Sequence, residues 1–151
     1  MRLVLDSSVA IAAVQPAERE HESALDFMNR LRAAQANGYD GAFAPPELWL
    51  EVHVVERRLA LSRRGGPGPG AALRGLTIGL VAPEGADELE AFLDRLTKRM
   101  RGRRPFANAT DLVYLWAAWR LDATVVTLDR GLLDHHGVVC DVTRPRHARF
   151  G

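Results

Sequence analysis

Two aspartates stand where apolar runs stop, and a third opens a helical stretch. Asp6 follows Leu3-Val4-Leu5, Asp129 follows Thr124-Val125-Val126-Thr127-Leu128, and Asp111 opens the stretch that leads into that second run. Glu47 and Glu51, one helical turn apart behind Pro45-Pro46, offer a fourth acid; Glu47 lies so close to the prolines that it serves the helix start, which favours Glu51. Carboxylates converging on one small site repel and raise the pKa of at least one of them. A hard divalent cation resolves that conflict. Mg²⁺ prefers oxygen ligands and is commonly held by one or two carboxylates together with phosphate oxygens of a substrate. A second ion can stabilise both the attacking and the leaving oxygen of an in-line displacement. The chemistry these acids suit is therefore metal-assisted phosphodiester hydrolysis, with Mg²⁺ or Mn²⁺ as cofactor. Structural readings of the same residues stand beside it: Asp6 and Asp111 as helix-start acids and Asp129 as a turn acid.

Other residues capable of chemistry carry weaker signals. The Thr127 hydroxyl can orient a water or a carboxylate, and equally it can simply close a buried strand. The five histidines, His135-His136 among them, form no spaced metal-binding pattern and are expected at the surface. Trp49, Trp116 and Trp119 could stack on bases, but their helical spacing assigns them to packing. Cys140, the one cysteine, lies in the apolar run Val138-Val139-Cys140 and reads as a core thiol; it excludes an internal disulfide and any multi-cysteine zinc site.

The elements that must position the acids alternate between strand and helix. Leu3–Leu5 reads as a strand, with Ser7-Ser8 leading into a short helix over Val9–Val14. A long amphipathic helix is expected from Ala17 to Ala36, a strand at Ala42-Phe43-Ala44, and a helix from Pro45-Pro46 to about Ser62. The segment Gly65-Gly66-Pro67-Gly68-Pro69-Gly70 should hold no regular structure, making residues 63–71 a mobile basic loop. Further on, the pattern predicts a strand over Leu76–Val81, a helix over Gly85–Met100 and a basic loop over about 98–105. A helix capped by Asn108 or Thr110 then runs to Leu121, burying Leu112, Leu115, Trp116 and Trp119. Thr124–Thr127 is the clearest strand, a short helix follows Asp129, and Val138–Cys140 could add a last strand. Strands alternating with helices imply an α/β fold, a mainly parallel sheet covered on both faces, whose ligands bind beyond the carboxyl ends of the strands.

At 151 residues and 47% hydrophobic, the chain supports one compact core and reads as a single domain. Its 20 basic and 19 acidic residues nearly cancel, so global charge selects no partner. The basic residues are nonetheless arginines except for Lys98, clustered at Arg57-Arg58, Arg63-Arg64 and Arg95 to Arg104. Arginine suits bidentate phosphate contacts, and it also tracks genomic base composition. The N-terminus turns polar too early for a signal peptide, and no apolar stretch approaches the roughly 18 residues of a membrane span. A soluble, cytoplasmic protein is expected. A phosphoacceptor receiver would need a strand-end lysine, and Lys98 sits in an arginine-rich helix end; an aspartate-nucleophile phosphatase would need an Asp where Ser8 stands.

Four stretches, taken in order, resemble the PIN-domain ribonucleases, particularly the VapC-type toxins of VapBC toxin–antitoxin pairs. Leu3-Val4-Leu5-Asp6-Ser7-Ser8-Val9 is similar to the family's opening strand and first metal-site acid. Pro45-Pro46-Glu47-Leu48-Trp49-Leu50-Glu51-Val52 resembles its proline-led helix, which places the second acid at Glu51. Asp111-Leu112-Val113-Tyr114-Leu115-Trp116-Ala117-Ala118 and Ala123-Thr124-Val125-Val126-Thr127-Leu128-Asp129 supply the third acid, the following Tyr, the strand ending in Thr and the fourth acid. The chain departs from the family's pattern at residues 65–70, at Arg101–Arg104 and at His53-Val54. The resemblance implies a PIN-like α/β/α sandwich, with a central twisted sheet flanked by helices, working as a metal-dependent endoribonuclease toxin. Asp6 and Asp111 would be the principal ligands of Mg²⁺ or Mn²⁺, with Glu51 and Asp129 binding a second ion or orienting the attacking water. It further implies a transfer or ribosomal RNA substrate, contacted by Arg63, Arg64, Arg101, Arg103 and Arg104, together with a cognate VapB-type antitoxin and a homodimer. The alternative is a catalytically silent PIN-like module that binds RNA or a partner.

Overall fold

The computed structural model describes residues 1–62, 66–100 and 108–150. Arg63, Arg64, Arg101, Arg103 and Arg104 lie outside the described residues. In chain order the elements are β1 (Leu3–Leu5), α1 (Ser7–Ala12), α2 (His21–Ala36), β2 (Ala42–Ala44), α3 (Glu47–Leu61), α4 (Gly70–Leu73) and β3 (Gly79–Leu80). Then follow α5 (Ala86–Met100), α6 (Ala109–Leu121), β4 (Thr124–Val126), α7 (Arg130–Leu133), β5 (Asp141–Thr143) and a 3₁₀ turn, Pro145–His147. The strands form one parallel sheet in the order β3-β2-β1-β4-β5, with Leu3 opposite Ala42 on one side and Thr124 on the other.

Continuous apolar runs suit strands covered on both faces. Leu3, Val4, Leu5, Val125 and Val126 are accordingly buried, in a core closed by Phe27, Met28 and Leu31 of α2, Phe92 and Leu96 of α5, and Leu115 and Trp116 of α6. The strand order makes the first half of the chain wind away from β1 on one side and the second half on the other. The switch lies between β1 and β4, and helices that follow strands start at the carboxyl edge of such a sheet, where ligands bind. α6 is followed by Asp122, whose φ of 50° is left-handed and turns the chain into β4. No helix among the described residues is long and apolar enough to cross a membrane.

Several expectations need correction. The last strand is Asp141–Thr143, not Val138–Cys140: Gly137 N–H donates to the Cys140 carbonyl at 3.0 Å, so the apolar run closes a turn from which Val138 still reaches the core, and Val142 is the buried residue of the strand. The Gly/Pro segment does hold structure at its end. Gly70 opens α4, its N–H donating to Glu56 Oε1 at 2.8 Å, and a Cβ at Gly70 would lie 2.6 Å from that oxygen. The glycine is what lets the α3 carboxylate reach the start of α4, and Ala72 and Leu73 then join the core. The third strand shrinks from Leu76–Val81 to Gly79–Leu80, and α2 starts at His21 because residues 17–20 form turns. Leu112 and Trp119 are half-buried rather than buried, and Asn108 occupies the N-cap of α6 without a side-chain cap bond.

Candidate functional site

Asp6 sits at the switch point. Its backbone N–H donates to the Val126 carbonyl at 3.1 Å, fixing it beside the end of β4, and only 4% of the residue is exposed. Two hydroxyls hold the carboxylate. Thr127 Oγ1 donates to Asp6 Oδ2 at 2.5 Å, and Ser8 Oγ donates to the same oxygen. Each hydroxyl in turn accepts a backbone N–H from the chain leaving β4: Leu128 N–H to Ser8 Oγ at 3.0 Å, Asp129 N–H to Thr127 Oγ1 at 2.9 Å. The Asp6 carboxylate is thus wired through two hydroxyls to the backbone that presents Asp129.

The other acids come from three more elements. Glu51 lies in the second turn of α3, half-buried, with Oε2 accepting from the Tyr114 hydroxyl at 2.6 Å. Asp111 is in the first turn of α6, and Asp129 is the N-cap of α7, where Oδ1 accepts from Leu132 N–H at 3.0 Å.

The fields of these acids overlap. Burial raises the Asp6 pKa to about 6, against the two hydroxyl bonds that lower it, and the charges of Glu51 and Asp111 push it further up. Partial burial raises Asp111 as well, helped by the charges of Asp129 and Glu51 and opposed by an Asn108 backbone bond and by His135. Tyr114 is raised by burial first, then by Asp6 and Glu51, so its hydroxyl remains a proton donor. All four expected acids are therefore brought into one electrostatic neighbourhood, and Glu47 is absent from the groups acting on Asp6 and Asp111. Among the described residues no three His, Cys, Asp or Glu side chains stand close enough to hold a cation as they are. The donor chemistry nevertheless fits a hard divalent ion. Every candidate ligand is oxygen, and Asp6 is buried in a negative field that such a charge would relieve.

No family model matches the sequence, and no curated protein does either. Solved structures do match. VapBC2 from Rickettsia felis, bound to a DNA fragment from its promoter, aligns with a TM-score of 0.61 at 12% identity, over 95% of this chain and 98% of that one. FitAcB from Neisseria gonorrhoeae aligns at 0.58 and 17% identity, over 97% and 99%, and FitAB bound to an IR36 DNA fragment at 0.56 and 15% identity, over 97% of each chain. The fold is PIN-like. The α/β sandwich expected from the motifs is therefore the observed one, and its five strands all run parallel.

Within this PIN-like frame several residues carry more than their sequence signal did. Ser8 reads as a capping residue two positions after an acid, yet its hydroxyl is half of the Asp6 network. The histidines are not uniformly solvated. His135 is 5% exposed, with Nδ1 on the Gly131 carbonyl at 2.8 Å, while His136 Nδ1 accepts from Val142 N–H and His21 Nδ1 lies 2.8 Å from the Ala12 carbonyl. No periodicity marks such burial, because His135 lies in the turn just after α7. Trp116 is fully buried and Trp119 packs on Phe92 at 5.7 Å, as packing residues should. Cys140 is a half-buried thiol whose pKa burial pushes up to about 12, which leaves it unreactive. A cavity of about 620 Å³, lined by Leu25, Met28, Leu59 and Pro67 among others, contains none of the four acids.

Proposed function

We propose that the chain is a single PIN-like nuclease domain, a Mg²⁺- or Mn²⁺-dependent endoribonuclease of the VapC type acting in the cytoplasm as the toxin of a type II toxin–antitoxin pair. One observation carries the reading. Four acids from four elements share one field at the carboxyl edge of β1 and β4. Asp6 and Asp111 would be the principal cation ligands, with Glu51 and Asp129 completing the set. A bound cation supplies charge neutralisation at a phosphodiester and lowers the pKa of water. The chain's own contribution is orientation and exclusion of solvent. Ser8 and Thr127 hold the buried Asp6 carboxylate through the same oxygen, and the same two hydroxyls anchor the backbone before Asp129. Arg63, Arg64, Arg101, Arg103 and Arg104 would supply cationic forks to RNA phosphates.

Support for the partner comes from the solved structures, whose VapBC2 and FitAB molecules are toxin–antitoxin complexes. The partner here would be a VapB-type antitoxin that blocks the acidic edge, and the active form a homodimer. Transfer or ribosomal RNA as substrate rests on the sequence motifs. Purified chain incubated with both RNAs should cleave one of them with Mn²⁺ or Mg²⁺ and stop with EDTA. An Asp6→Asn, Asp111→Asn double variant should lose about 10³-fold in rate, equivalent to several kcal/mol of transition-state stabilisation. Absence of cleavage, together with a double variant that binds Mn²⁺ as well as the parent, would sink the reading.

A further inference from the structure

Glu51 differs from the aspartates in how far its carboxylate stands from the backbone. A glutamate has three rotatable side-chain bonds, and fixing them costs side-chain entropy. Two of the aspartates are held by nearby groups: Asp6 by the hydroxyls of Ser8 in α1 and of Thr127 just after β4, Asp129 by the helix it caps. Glu51, in the second turn of α3, accepts no backbone N–H among the described residues. What it has is Tyr114, across the interface from α6.

We infer that Tyr114 is a positioning residue, whose buried hydroxyl fixes the Glu51 carboxylate relative to Asp111. Three features of the geometry converge on it. The 2.6 Å separation is that of a charge-assisted O–H···O⁻ bond. The phenol ring is 0% exposed and packed in the core, so the donor is anchored with only two side-chain torsions to restrain. Asp111 and Tyr114 are three residues apart on one helix, and such residues lie on the same face, one above the other. α6 therefore delivers two functions to one place, an acid directly and the orientation of a second acid through a phenol. Glu47 provides the contrast on the same helix as Glu51. Its Oε2 is buried with no hydrogen-bond partner among the described residues.

The inference rests on the cation reading above, and its test separates the two. Metal-free full-length chain is titrated with MnCl₂ by calorimetry, as wild type, Tyr114→Phe, Glu51→Ala and the combination. Tyr114→Phe keeps the ring and removes only the donor. It should weaken Mn²⁺ binding about tenfold, the lower end for loss of a partner that orients a ligand. In the Glu51→Ala background the same change should have no effect, because the group it orients is gone. Glu51→Asp, which keeps the charge but retracts it from the phenol, should weaken binding by a similar factor and covers the case in which Tyr114→Phe folds poorly. Wild-type affinity in Tyr114→Phe or Glu51→Asp overturns the inference, and so does an equal loss with and without Glu51, which would mark Tyr114 as a core residue only. A wild-type chain that binds no Mn²⁺ overturns the cation reading itself and this inference with it.

Discussion

Two strand ends, side by side in the sheet, treat the same residue type in opposite ways. Asp6 after β1 and Asp129 after β4 both occupy helix N-cap positions with extended backbone, φ −89° and ψ 147° for the first, φ −70° and ψ 128° for the second. Asp129 does what that position favours, accepting Leu132 N–H and standing exposed. Asp6 makes no cap bond at all; it is buried and held by two side-chain hydroxyls. The difference lies in what surrounds each carboxylate, since Ser8 and Thr127 converge on one and solvent bathes the other. A buried acid whose pKa is raised, kept off a stabilising cap, costs stability that the fold tolerates. Such a local conflict is what functional sites show.

The sharpest way to break the comparison is through pH. The Asp6 carboxyl has a folded-state pKa of about 6 against 3.8 for the free group. An acid raised in this direction destabilises the folded chain when ionised, so metal-free stability should rise as pH falls through 6 and level off below 3.8. The gain is on the order of 3 kcal/mol. Other groups titrate over the same range, so urea unfolding in EDTA should be read as the difference between the parent and Asp6→Asn. That difference should change by this amount between pH 8 and pH 4. Parallel curves for the parent and Asp6→Asn would remove the contrast.

Thr127→Val tests the connection between the two ends. The residue is fully buried, and the substitution deletes the donor to Asp6 and the acceptor of Asp129 N–H while keeping the shape. An unsatisfied buried group costs about 1–3 kcal/mol, so unfolding in urea at pH 8 should register a loss of about 2 kcal/mol. Ser8→Ala, at a half-buried hydroxyl, should cost less. A Thr127→Val chain as stable as the parent would mean that the hydroxyl relay carries no weight.

What was legible from residue order follows from how local each signal is. β1, β2 and β4 are short apolar runs ended by polar residues or, for β2, by Pro45-Pro46, and a run of that kind declares itself within six or seven positions. β5 did not, because its one core residue, Val142, lies between an exposed Asp141 and a partly buried Thr143, and the apolar run just before it draws the eye. Asp6 and Asp129 could be placed at strand ends, yet their adjacency depends on β1 pairing with β4, a fact of strand order that no window of sequence contains. The Ser8 and Thr127 hydroxyls meet across 119 residues, so neither looked more than structural by itself. The choice between Glu51 and Glu47 had the same character. Both lie on one face of α3, and what distinguishes them is a phenol 63 residues further along the chain.

The smallest effect separates the two roles that Asp129 would hold. Its Oδ1 caps α7, a service that asparagine performs about as well as aspartate and alanine cannot perform. Asp129→Asn should therefore keep the urea midpoint of the parent, while Asp129→Ala should lose about 1 kcal/mol. RNA cleavage with Mn²⁺ should not follow that order. If the carboxylate charge serves the site, both variants lose activity, because both lose the charge and only one loses the cap. An Asp129→Asn chain that cleaves like the parent would reduce Asp129 to a helix cap. The acidic edge would then be Asp6, Glu51 and Asp111 alone, and the two strand ends would differ in kind as well as in environment.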